Sequence, residues 1–208
     1  MSVREILSSL KDPDPRKRKN AWNAVERMKN DNLFPLIKSR LYLRSLLWNS
    51  LEGIREDAWS HLDLLVYLNV KGIERTLKAR SDTIKWSAWQ RVNLLVEKGI
   101  VDWGYVYSVR DSYWRLLKSR YPTIRKKAWK LFQTLVKEGI FTEKDKPRYM
   151  NLLKAEKASI RVTAWKNALS TRLFSKEELR NMLPYLQELT KEDSKVKLEA
   201  EKIIHELS

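Results

Sequence analysis

The segment Ile124-Arg125-Lys126-Lys127-Ala128-Trp129 carries a skeleton, Ile-Arg/Lys-x-x-Ala-Trp, that recurs at Ile54-Arg55…Ala58-Trp59, Ile84-Lys85…Ala88-Trp89 and Ile160-Arg161…Ala164-Trp165. Two imperfect copies flank these: Lys17-Arg18…Ala21-Trp22 lacks the Ile, and Val196-Lys197…Ala200-Glu201 lacks the Trp. The Ala anchors stand at 21, 58, 88, 128, 164 and 200, at intervals of 37, 30, 40, 36 and 36 residues, which is the period of two-helix repeats that stack into a solenoid. Six such repeats, approximately 1–31, 32–71, 72–101, 102–141, 142–174 and 175–208, account for nearly the whole chain.

Each anchor belongs to a helix, because apolar residues continue from it at helical spacing, as in Ile54, Ala58, Leu62 and Leu65 or Ile124, Ala128, Phe132 and Leu135. The small Ala marks close helix approach. Gly72, Gly99 and Gly139 suit left-handed C-caps, Asp82, Thr123 and Ser159 are capping candidates, and Pro13, Pro15 and Pro122 fall where a first turn tolerates proline. Between anchors the pattern predicts a second helical segment: Leu33–Asn49, Ile73–Arg80, Tyr105–Arg120, Glu143–Glu156 and Lys176–Leu189, the last kinked or split by Pro184.

Composition excludes several classes of function. The 208 residues include 42 Lys+Arg against 26 Asp+Glu, a formal net charge of +16, and 43% are apolar, enough for a sizeable core. The absence of cysteine removes disulfides, Cys-ligated metal, iron–sulfur clusters and thiol nucleophiles. The first ten residues lack the apolar run of a signal peptide, and Leu64–Val70 is too short to span a bilayer, so the expectation is a cytoplasmic protein without a membrane partner.

These residues resemble the HEAT-repeat family, most closely the short type whose second helix opens Leu-x-Asp-x-Asp-x-x-Val-Arg-x-x-Ala. Leu10-Lys11-Asp12-Pro13-Asp14-Pro15-Arg16-Lys17-Arg18-Lys19-Asn20-Ala21 matches it well. The resemblance implies an all-α, right-handed α-solenoid of about six helix pairs, with the second helix of each pair lining the concave side. Such folds serve as protein scaffolds, nucleic-acid binders and, in one branch, DNA glycosylases. In the family pattern the first Asp pairs with the repeated Arg of a neighbouring repeat. Here the Asp12 position becomes Asn49, Ala79, Ser119, Ala155 and Lys191, so five of six repeated cations must find other acceptors or reach solvent.

Five of the nine tryptophans, Trp22, Trp59, Trp89, Trp129 and Trp165, share one repeat position, four residues after the repeated cation. Their regularity argues for rings that fill the groove between neighbouring repeats, stacked with that cation. The competing reading is a row of exposed platforms for stacking bases. Glu201, in the last repeat where no neighbour follows, favours packing.

The charge is uneven: residues 1–104 carry +6, residues 105–180 carry +12 and residues 181–208 carry −2. Lys126, Lys130 and Lys137 share one exposed helical face, and Lys166 is the equivalent of Lys130 one repeat later. A heat-stabilising surface would balance Lys with Glu, which residues 105–180 do not. The residues expected to hold phosphates are therefore Lys85, Arg125, Lys126, Lys127, Lys130, Lys137, Arg161 and Lys166. The aromatic–cation mixture from Trp103 to Arg115 reads first as an amphipathic helix with Val106, Val109, Tyr113, Leu116 and Leu117 inward, and Arg16–Lys19 as a helix face.

No catalytic constellation stands out. His61 and His205 lie in distant repeats, the five glycines are dispersed, and neither a metal nor a cofactor nor a small-molecule substrate is implied. A HEAT-like glycosylase would need Asp57 or Asp63 as its acid, although an isolated Asp at helical spacing usually serves a surface or an ion pair. The expected function is a non-enzymatic module gripping the DNA or RNA backbone, with a scaffold for an acidic protein segment as the alternative and the glycosylase behind both.

Overall fold

The computed structural model describes residues 1–208 and is helical throughout, with sixteen α-helical and five 3-10 segments and no strand. It divides into two compact halves, Met1–Asp102 and Trp103–Ser208, at a boundary between the expected third and fourth repeats.

In the N-terminal half the first anchor helix, Pro15–Asp31, opens on Asp14, whose carboxylate accepts from the Arg16 N–H at 2.9 Å, with Pro15 in the first turn. The next two anchor helices stop early: Glu52–Ser60 gives way to Leu62–Tyr67, and Asp82–Trp89 to Val92–Glu97. Apolar periodicity runs through both breaks, so it predicts one helix where there are two. The residues at the breaks reach the preceding repeat. His61 stacks on Trp22, centroids 4.3 Å apart and planes 3° apart, with Nδ1 2.9 Å from Glu26. Arg91 lies 5.3 Å from the Trp59 ring centroid and pairs with Glu56.

In the C-terminal half the anchor helices Pro122–Lys137, Ala158–Thr171 and Ser194–Leu207 run unbroken, and the middle one packs against both others. The segments between anchors are discontinuous in both halves. The expected Leu33–Asn49 helix consists of Leu33–Lys38, Arg40–Ser45 and a 3-10 turn Leu46–Trp48, and Ile73–Lys78 is entirely 3-10. Pro184 splits the last segment as expected, entering the first turn of Leu183–Gln187 after Lys176–Arg180.

Gly99 and Gly139 adopt φ of 71° and 79°, and the residues after them donate back across the turn, Ile100 N to Leu95 O at 3.0 Å and Ile140 N to Leu135 O at 2.9 Å. In the second repeat Asn69, not Gly72, makes this turn, with φ of 58° and Val70 N donating to Leu65 O at 3.0 Å. Gly72 instead precedes the 3-10 segment. Asp82, Thr123 and Ser159 lie inside the first turns rather than at the caps, which are Ser81, Tyr121 and Lys157.

Why the repeat needs its Trp and its cation is visible in their donors. All five rings are at most 2% exposed, which excludes the stacking platforms. The indole N–H of Trp89, Trp129 and Trp165 donates to the carbonyls of Leu77, Leu117 and Leu153, each twelve residues back, at 2.9, 3.0 and 2.9 Å. The repeated Arg reaches the carbonyl six residues back: Arg18 to Asp12 at 3.0 Å, Arg55 to Asn49 at 2.9 Å, Arg125 to Ser119 at 2.7 Å and Arg161 to Ala155 at 2.6 Å. Both carbonyls lie at or just beyond the end of the preceding helical segment, where backbone oxygens lack intrahelical partners and the dipole favours a cation. The backbone thus supplies the acceptor the side chain at the Asp12 position was expected to supply, so Asn49, Ser119 and Ala155 serve equally well. The expected cation–π pairing of Arg55 with Trp59 gives way to Arg91 over Trp59. Arg18 and Arg55 also join neighbouring repeats, through Asp57 Oδ2 and Ser87 Oγ, both at 2.7 Å.

Tyr113 and Tyr149, fully buried, donate to the carbonyls of the anchor residues Ala128 and Ala164, the second at 2.8 Å. Burial pushes both phenols well above the ordinary tyrosine range, so they remain donors. Emptying the Trp129 site by Trp129→Ala is expected to lower stability by roughly 3 to 5 kcal/mol. Arg125→Met, which removes only the carbonyl bond, should cost about 1.5 kcal/mol. Chemical denaturation of the three proteins checks both values, and equal losses would mean that the guanidinium, not ring volume, carries the contact.

Candidate polyanion-binding groove

The anchor helices of the C-terminal half turn their non-core faces toward a groove of about 710 Å³, with Trp129, Val162 and Val196 among its apolar lining residues. Lys126, Lys130, Lys166 and Lys195 stand around it. A second hollow of about 540 Å³ shares Gln133, Lys166, Asn167 and Glu199 with the first and adds Lys202. Gln133 bridges two helices, donating to Asn167 Oδ1 at 3.1 Å and Ser170 Oγ at 3.0 Å.

The side chains named from the sequence separate into three groups. Lys126, Lys130 and Lys166 come together on this groove. Lys127 and Lys137 are exposed on the Pro122–Lys137 helix but do not line it. Arg125, Arg161 and Lys85 are poor contacts for an external phosphate. Arg125 lines the groove with a guanidinium committed to Ser119 O. Arg161 is bound to Ala155 O and to Glu188 at 2.7 Å. Lys85 is 4% exposed in the N-terminal half. All three occupy the repeated cation position, which at Arg125 and Arg161 points at the preceding helix end and at Lys85 is buried. The basic run Arg16–Lys19 is likewise divided, because Arg18 is buried while Arg16, Lys17 and Lys19 are exposed.

Lys126, Lys127, Lys130 and Lys137 have no carboxylate partner, and Lys166 has only Glu199 at 3.9 Å. Glu199, Asp193 and Glu206 all come from the last anchor helix or its cap, so the acidic end of the sequence forms one wall of an otherwise cationic groove. Sequence reasoning missed Lys195 and Lys202. Lys202 was accessible to it, since Lys130, Lys166 and Lys202 are spaced by 36 residues, the anchor period itself. Lys195 carries no such signal and reaches the groove only because its helix begins there.

The glycosylase candidates are engaged elsewhere: Asp57 accepts from Arg18, and Asp63 pairs with Lys98 at 2.8 Å. The sequence matches no known family model and no curated protein.

Proposed function

We propose that the chain is a HEAT-like α-solenoid that binds the phosphate backbone of nucleic acid without acting on it chemically. The solenoid reading is supported by the same two carbonyl bonds recurring from repeat to repeat at offsets of six and twelve residues. The binding reading rests on one observation above all: Lys126, Lys130 and Lys166 line a single groove, while the guanidiniums of Arg125 and Arg161 on the same helices are spent on helix ends. Flexible lysines bind phosphate as point charges and read little sequence. Asp57 and Asp63, held in ion pairs, favour a non-enzyme. The apolar Val162 and Val196 favour, as a second reading, an acidic protein segment with apolar side chains in this same groove.

Five lysines border the two hollows, and neutralising about five phosphates makes log K fall against log salt with a slope near −4.5, roughly a 500-fold loss between 50 and 200 mM. Fluorescence titration of labelled duplex, single-stranded DNA and RNA across that range measures the slope, and polyglutamate bound more tightly than any of them would transfer the site to the second reading.

Reversing Lys126, Lys130 and Lys166 to Glu should abolish binding of all sequences alike with helical content unchanged, because exposed positions contribute little to folding. Arg16, Lys17 and Lys19 reversed together should weaken it far less, since Asp12, Asp14 and Glu26 dilute the field around that helix. Gel shifts with the two triple variants decide the matter: equal losses would show that net charge alone drives association.

A further inference from the structure

Six of the eight exposed large apolar side chains, Met1, Phe34, Leu41, Leu51, Val66 and Tyr67, belong to the N-terminal half. Phe34 and Leu41, 63% and 71% exposed, are seven residues apart on the consecutive helices Leu33–Lys38 and Arg40–Ser45, with Ile37 between them. Phe34 and Ile37, three residues apart, share one face of the first of these helices, and Leu41 lies on the second. Ile37 and Leu41 border a groove of about 360 Å³ whose lining also includes Val70 and Lys71. Four cations, Lys38, Arg40, Arg44 and Lys71, line this groove and no carboxylate does.

The groove is built rather than incidental. Arg40 Nε donates to Leu68 O and Arg44 Nη1 to Lys71 O at 3.1 Å, which ties the helical wall to the opposite loop. Lys38 lies 4.7 Å from the Phe34 ring centroid, keeping a positive charge beside the apolar stripe. No carboxylate neutralises Lys38 or Lys71. A neighbouring hollow of about 450 Å³ shares Asn69, Val70 and Lys71 and adds Arg75 and the Asp63-paired Lys98, with Glu74 as its only lining acid.

An exposed apolar stripe flanked by cations selects a partner that is apolar and anionic at once. A second copy of this chain would bring the same cations to the contact, against a net charge of +16. A flat lipid surface meets Phe34 and Leu41 but does not enter the recess beside Val70, which is 7% exposed. An extended segment fills it by placing one side chain between Leu41 and Val70. We infer that the groove between the Leu33–Ser45 helices and the Asn69–Lys71 loop docks an acidic segment of a partner protein, with an apolar side chain held by Leu41 and Val70 and carboxylates facing Lys38 and Lys71. This surface is separate from the lysine groove of the C-terminal half, and neither reading depends on the other.

The test is fluorescence anisotropy on the full chain with a labelled peptide of glutamates interrupted by leucines, beside an all-glutamate peptide of equal length. The mixed peptide should bind at least roughly tenfold more tightly, because it alone buries an apolar side chain. Leu41→Ser and Lys71→Glu should each weaken it by about tenfold, while the Lys126, Lys130 and Lys166 reversals leave it nearly unchanged. Both variants alter exposed side chains, and circular dichroism confirms their folding. Equal affinity for the two peptides, or loss on reversal of the C-terminal lysines instead, overturns the assignment. So does sedimentation with phosphatidylserine vesicles that Leu41→Ser abolishes, in the absence of peptide binding, since that outcome gives the surface to a membrane.

Discussion

Each of the first five repeats disposes of the carbonyl oxygens at the end of its first helical segment, and the rest of the structure follows from how it does so. Those oxygens lie against the next helix, away from bulk water, where an unmatched acceptor is expensive. The anchor helix brings two donors to them, an indole N–H and a guanidinium, at fixed offsets of twelve and six residues. The indole also supplies the volume that fills the space between helices, so one residue serves packing and hydrogen bonding together. Trp22 and Trp59 show that volume is the more general requirement: both rings are buried, yet their indole nitrogens have no acceptor. At those positions the ring is covered by His61 or Arg91 from the next repeat.

That constraint divides the cations of a strongly basic chain into two populations. Those at the repeated position point along the helix axis toward carbonyls and are consumed by folding, as Arg55, Arg125 and Arg161 are. Burial pushes the Arg55 guanidinium below its usual range, yet two acceptors, Asn49 O and Ser87 Oγ, still hold it. Cations one or five residues further along, such as Lys126 and Lys130, line the groove and have no carboxylate partner. Net charge alone conceals this division, because a buried Arg and an exposed Lys count equally toward it.

The two halves apply the same repeat differently. Unbroken anchor helices in the C-terminal half give a continuous face on which Lys130, Lys166 and Lys202 recur at one position. In the N-terminal half two anchors break at His61 and Arg91, and exposed apolar side chains stand both between anchors, at Phe34 and Leu41, and beyond the first break, at Val66 and Tyr67. A single repeat pattern thereby offers one electrostatic surface and one mixed apolar and cationic surface.

The sequence by itself determined the helical class, the anchor positions, the burial of the five tryptophans and the grouping of Lys126, Lys130 and Lys166, although it placed Lys137 with them, which does not line the groove. All of these depend on periodicity, which local spacing records directly. It did not show that His61 and Arg91 interrupt their helices, because Leu62 and Leu65 keep helical spacing across the break. Nor did it separate Arg125 from Lys126, adjacent cations in one run. Both Asn69 and Gly72 adopt positive φ, and only the path of the chain makes Asn69, not Gly72, the residue that closes the preceding helix. Tertiary structure decided these points because each depends on where an acceptor or a ring from another segment lies, and a backbone carbonyl, which any residue carries, leaves no trace in the sequence.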